Sequence, residues 1–243
     1  MRKLNHRRSF LKHSGILVAG GAATLSGVSF SQENRVKNRR PGKKEEEVTP
    51  VEDLAREHGL LNRLLLIYDE VNQRLSSKED LDPRHVADSA GIIRNFIEDY
   101  HEKLEEDYLF PRFEKANKLT DLVSVLRQQH QAGRVLTGKV MHLATDTLKS
   151  AAGRAALTGL LTQFVRMYRP HEAREDTILF PAIRSIVSDN EYDSLGEEFE
   201  KKEHQLFGAE GFDGVLGKVA RIEKALGIYD LRQYTPGGVK SEG

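Results

Sequence analysis

The chain contains no cysteine, which excludes disulfides, thiolate zinc sites, iron–sulfur clusters and cysteine nucleophiles. It has no excess of either charge, with 37 basic residues against 37 acidic. The balance conceals an uneven distribution: five bases (Arg2, Lys3, Arg7, Arg8 and Lys12) fall in the first 31 positions, which hold no acid. Residues 32–243 carry 32 basic against 37 acidic residues and no basic stripe, so a nucleic-acid partner is not expected. A strong membrane span is also missing, since the apolar run from Gly15 to Val28 is short and rich in glycine.

Ahead of that run stands Arg7-Arg8-Ser9-Phe10-Leu11-Lys12, which resembles a twin-arginine export signal. Residues 1–31 are therefore expected to engage the twin-arginine translocation machinery. The mature chain would then be periplasmic or otherwise exported, cleaved near Ser29 to Ser31 or anchored by an uncleaved signal. Residues 32–50 are polar and aperiodic and are expected to be a linker.

Beyond the linker the sequence repeats itself. His101-Glu102-Lys103-Leu104-Glu105 returns seventy positions later as His171-Glu172-Ala173-Arg174-Glu175, and Leu109-Phe110-Pro111 returns at the same offset as Leu179-Phe180-Pro181. Residues four apart on a helix lie one turn up on the same face, so each His-x-x-x-Glu aims an imidazole and a carboxylate at one point. His101 shares a stripe with Ile93, Ile97, Leu104 and Tyr108, and His171 with Phe164, Met167 and Ile178. Both pairs are thus expected inside, where an uncompensated carboxylate costs several kcal/mol, on the order expected for a buried ion. Two such groups call for a cation.

Four bundle helices are expected over residues 51–190. The first, from about Val51 to Ser76, places His58 in the stripe of Leu54, Leu61, Leu65 and Tyr68. The second starts at Pro83 and carries His101 and Glu105 until Pro111 and the Asn117 region end or kink it. The third, about Leu119 to Lys149, places His130 among Leu122, Leu126 and Thr137. After a turn at Ala151-Ala152-Gly153 the fourth carries His171 and Glu175, with Pro170 expected to kink it. Two such hairpins facing each other bring His58, His101, Glu105, His130, His171 and Glu175 together, which makes a dinuclear carboxylate site.

These residues resemble the hemerythrin-like family, also called the HHE cation-binding domain. The resemblance implies an all-α, antiparallel up-down four-helix bundle holding two iron ions with an oxo or hydroxo bridge. The four histidines would be terminal ligands, and Glu105 and Glu175 bridges. Oxygen-carrying members have a second histidine four residues after the third-helix one, where this chain has Arg134. They also use His-x-x-x-x-Asp, which would select Asp176. Glu175, about 40° from His171 around the helix, is preferred over Asp176 at about 140°, and Asp176 is kept as the fallback.

Residues 191–243 are read as a helical extension packed on the bundle. One helix runs over Asp193 to Phe207, another over about Gly214 to Leu226, and an extended tail lies over Tyr229 to Pro236. His204 is a weaker metal candidate, able to restore the ligand lost at Arg134. Tyr108 and Tyr168 are candidates for bonding to groups around the metals. Glu102, Glu106, Asp107, Glu172 and Asp176 are otherwise expected on a solvated face, and His6, His13, His85 and His142 out of reach of the centre.

The expected function is a non-haem di-iron protein of the cell envelope that binds or reacts with O2, peroxide or nitric oxide. If it turns over, it is a di-iron oxidoreductase with an unspecified electron donor. The competing expectation is a non-redox module: an iron store or buffer, or a zinc or manganese site. A helical adaptor with packing histidines is the third, and it requires six ligand-type residues to have fallen on inward faces by coincidence.

Overall fold

A computed structural model describes residues 48–146, 148 and 150–236. The export segment and nearly all of the linker lie outside the described residues. From Thr49 onward the chain is helical, with no strand among the described residues. Four helices make the bundle: α1 (Pro50–Ser77), α2 (residues 83–115), α3 (Thr120–Asp146) and α4 (residues 151–183).

Three of the four bundle helices start where the sequence supplies a side-chain cap. Thr49 and Glu52 form a reciprocal capping box, with the Glu52 amide on Thr49 Oγ1 at 3.3 Å and the Thr49 amide on Glu52 Oε2 at 2.9 Å, while Pro50 takes the first helical position. Asp82 accepts from the Arg84 amide at 2.9 Å ahead of Pro83. The turn expected at residues 151–153 is already helix, because Ser150 Oγ accepts the Gly153 amide at 2.9 Å and starts α4 at Ala151. Helix α1 packs on α2 and α4, and α3 packs on the same two, closing a four-helix ring. Leu61, Leu65, Tyr68, Ile93, Ile97, Leu126 and Phe164 fill it, each worth about 1.5–3 kcal/mol of burial.

Helices α2 and α4 are interrupted by wide π turns at Ile93–His101, Glu105–Leu109 and Glu175–Leu179. The Phe110 amide reaches back five residues to the Glu105 carbonyl, and the Phe180 amide does the same to Glu175. The wide turns that begin at Glu105 and Glu175 each insert one residue, so beyond them the inward stripe slips by one position. Ile178 consequently turns out to 42% exposure while Leu179 is buried, and Tyr108 is half-buried beside a buried Leu109. The two turns also precede Pro111 and Pro181, whose rings would crowd a carbonyl four residues back in a regular helix. Widening the turn lets α2 run on to Lys115 rather than end or kink at Pro111. Pro170 is exposed and lies within the unbroken stretch Ala151–Arg174.

Two further helices, α5 (Asp189–Phe207) and α6 (Gly211–Ala225), pack on each other and against α1 and α2. Glu203 Oε1 accepts the Phe212 amide at 2.8 Å, and at Gly211 (φ 44°) a Cβ would overlap that carboxylate, so glycine is required. Arg63 pairs with Glu223 and ties α1 to α6; Arg112 bonds Glu191 at 2.9 Å and ties α2 to α5. The last described segment is a single 3₁₀ turn, Leu231–Tyr234, with Leu231 79% exposed, rather than an extended tail lying on the bundle.

Glu98 is fully buried between Arg94 Nη1 at 2.5 Å and Thr137 Oγ1 at 2.5 Å. Burial outweighs the arginines and Thr137, so its carboxyl lies above the ordinary range. A raised folded-state value means that its contribution is full below the unfolded value and is lost as pH rises through the folded one. Relative to wild type, Glu98→Gln should therefore gain on the order of 1 kcal/mol between pH 4 and pH 8. Urea denaturation across that range checks it; a constant difference would contradict it.

Candidate metal centre

All six inward residues meet at mid-bundle, each no more than 4% exposed. His101 Nε2 lies 3.8 Å from Glu105 Oε1, and His130 Nε2 lies 3.4 Å from Glu105 Oε2. The other copy mirrors this, with His171 Nε2 at 3.1 Å and His58 Nε2 at 3.4 Å from Glu175 Oε2. Each glutamate therefore stands between a histidine of its own hairpin and one of the other. The imidazoles pair within hairpins, His58 with His101 (ring centroids 4.8 Å) and His130 with His171 (5.0 Å). That gives two adjoining positions: donor atoms of His130, His171, Glu105 and Glu175 all lie within 4.8 Å of one another, as do those of His58, His101 and Glu105, with Glu175 reaching His58.

The outward nitrogens fix the orientation of the rings. His58 Nδ1 bonds Asp176 Oδ1 at 2.8 Å, His101 Nδ1 bonds Glu57 Oε2 at 2.8 Å, His130 Nδ1 bonds Glu106 Oε1 at 3.1 Å and His171 Nδ1 bonds Gln129 Oε1 at 2.9 Å. All four partners are oxygen acceptors, so each Nδ1 donates outward and each ring turns its Nε2 toward the centre. His130 and His171 turn these nitrogens on each other at 3.3 Å. Beyond these imidazoles, no group donates a hydrogen bond to Glu105 or Glu175. Four imidazoles and two carboxylates buried together with no donors or acceptors but one another on their inward side fit a cation.

Comparison with known proteins agrees. A profile of the hemerythrin HHE cation binding domain matches residues 49–183. The chain belongs to the hemerythrin HHE cation-binding family. Uncharacterized proteins of Mycobacterium bovis and of two Mycobacterium tuberculosis strains share 50% identity over 223 residues, covering 90% of this chain and 87% of each relative. No solved structure matches the chain.

As an HHE protein it carries its duplication beyond the ligands. Glu106 and Asp176 each follow an inward glutamate, and Glu57 and Gln129 each precede a single histidine. All four contact the opposite element of their own or the facing hairpin. Phe110 stacks on His130 at 5.5 Å and Phe180 on His58 at 5.3 Å, which accounts for the repeated Leu-Phe-Pro. Glu102 and Glu172 are buried, contrary to the expected solvated face, because each meets the residue four after a histidine on a neighbouring helix. Arg134 Nη2 reaches Glu102 at 2.8 Å, and Asn62 bonds Glu172. Arg134 thus replaces the absent histidine with a cation that holds both Glu102 and, at 2.8 Å, Glu106.

Other expectations need correction. Asp176 is an acceptor for His58, pointing to the outer side of that ring, and not an inward donor. His204 is exposed on α5, where the inward position belongs to Glu203 beside Asp53 and Glu57. Tyr108 bonds Glu198 at 3.2 Å and packs on Phe199, serving the α2–α5 contact. Tyr168 does approach the centre, donating to Glu102 Oε1 at 2.6 Å with its ring 5.4 Å from His171.

Electrostatics follow from this crowding. Burial, then repulsion from Glu175, pushes Glu105 well above the ordinary carboxylate range. Burial acts on Glu175 too, but the His171 and His58 imidazoles prevail and hold it well below. Burial raises Glu172 to about 8. Glu105 and Glu172 are thus held in a state that a positive charge would relieve.

Proposed function

We propose that this chain is a di-iron protein of the cell envelope that binds or reacts with O2, peroxide or nitric oxide. One observation carries the reading: four inward Nε2 atoms and two buried carboxylates with no donors beyond those imidazoles define two adjoining positions. His58 and His101 would hold one ion, His130 and His171 the other, with Glu105 and Glu175 shared. Imidazole and carboxylate suit iron, and also zinc or manganese. Bound iron would supply redox equivalents and open positions for a small ligand. The chain's own residues orient the imidazoles through their Nδ1 protons, and Phe110 and Phe180 wall the site with apolar surface.

The Arg-Arg-x-Phe-Leu-Lys segment supports export by the twin-arginine route, which carries proteins already folded and suits a centre assembled inside a closed bundle. Metal analysis and ultraviolet–visible spectra of the exported protein test the reading. Two irons per chain are expected, with a near-ultraviolet charge-transfer band that azide shifts. A colourless protein holding one zinc would replace it with the non-redox reading.

A further inference from the structure

The outer shell is duplicated, but its charge is not. On the His58–His101 side both Nδ1 protons go to acids, Asp176 and Glu57. On the His130–His171 side one goes to Glu106 and the other to the neutral amide of Gln129. Glu57 and Gln129 hold equivalent places, each one residue before the single histidine of its hairpin, and Glu57 is 1% exposed. The next shell widens the difference. Donor oxygens of Asp53, Glu57 and Glu203 lie within 4.8 Å of one another beneath α5. Glu106 instead meets Arg134 at 2.8 Å and pairs with Lys103. At the remaining equivalent pair, Arg134 faces Glu102 where Asn62 faces Glu172.

An acid accepting the ring N–H makes the opposite nitrogen a stronger donor, whereas an amide does so less, and a nearby guanidinium opposes it. We infer that the two metal positions are unequal by construction: His58–His101 takes the first cation and holds it tightly, and His130–His171 is the weaker, exchangeable position, with Gln129 as the positioning residue that sets the difference. The inference rests on the two-ion reading above.

Stepwise affinities alone do not test this, because two equal sites also fill in two steps when their ions repel. The measurement therefore isolates each position in the full chain with cobalt(II) chloride as probe, read by ligand-field absorption and calorimetry. His130→Ala leaves the His58–His101 position, and His101→Ala leaves the other. His130→Ala is expected to bind one cobalt about 10-fold or more tighter than His101→Ala, the scale on which outer partners act. Adding Gln129→Glu to His101→Ala should recover most of that gap.

Gln129→Glu in the otherwise intact chain gives the same answer without removing a ligand. The second binding step should tighten and the first stay in place. Equal affinities in the two histidine variants, or no effect of Gln129→Glu on the second step, overturns the inference while leaving the two-ion reading standing. A parent chain that takes up no cobalt overturns that reading itself, and the inference with it.

Discussion

Glu105→Gln should abolish two-ion binding and at the same time make the metal-free protein more stable. The two effects have one cause. Glu105 is fully buried, accepts no hydrogen bond and has a carboxyl pushed well above its ordinary range. Without metal, folding must either desolvate its charge or hold its proton, and glutamine removes that cost. A gain of about 1–3 kcal/mol is expected in chelator-treated protein at pH 7, from the penalty for burying an unpaired polar group. Because the folded-state value is raised, the gain should shrink as pH falls toward 4, where wild type already carries the proton in both states.

With metal the order reverses. Wild type gains RT ln(1 + [M]/Kd), about 4 kcal/mol at a thousandfold excess over Kd, while Glu105→Gln gains little because both positions share the lost carboxylate. Urea denaturation with chelator and with added metal, together with metal analysis, reads both signs. A variant that keeps two ions, or that loses stability in chelator as an ordinary core substitution does, would count against the metal reading and return the histidines to a packing role.

The convergence of the six inward residues is legible in the sequence because they lie on single-helix stripes that count correctly up to the glutamates. His58, His101, Glu105, His130, His171 and Glu175 all fall where a 3.6-residue period puts them. Beyond Glu105 and Glu175 the period fails, since each π turn adds a residue; Tyr108 and Ile178 therefore read as inward when Leu109 and Leu179 are the buried ones. The residues around the ligands escape the period for another reason. Glu57, Glu106, Gln129 and Asp176 sit next to ligands in sequence, about 100° around the helix, a direction that on an isolated helix reads as solvent. In the bundle it faces the neighbouring helix. The signal is present in the repeat, where an acid follows each ligand glutamate and Glu or Gln precedes each single histidine. At His204 the expectation misses by one residue, because α5 meets the bundle through Glu203.

Gly133→Ala should be among the most damaging small substitutions in the chain, although alanine in place of glycine inside a helix ordinarily adds about 1 kcal/mol. Gly133 stands three residues after His130, and a Cβ there would overlap the Tyr168 hydroxyl and come within 2.8 Å of its ring carbon Cζ. Tyr168 cannot move aside. Its ring is packed 4.4 Å from Phe164 and its hydroxyl donates to Glu102 at 2.6 Å. Displacing it would strand the Glu102 oxygen it serves and disturb Arg134, which reaches on to Glu106 and so to His130. Overpacking together with a broken buried hydrogen bond gives an expected loss of about 3 kcal/mol or more, accompanied by weaker metal binding at His130–His171. Tyr168→Phe removes the overlapping oxygen but leaves the ring carbon in the way, so the double variant should recover only part, with a coupling of about 1–2 kcal/mol. Denaturation of the four proteins in that cycle decides the matter, because a Gly133→Ala chain as stable as the parent would mean that the glycine is not what seats Tyr168 against the centre.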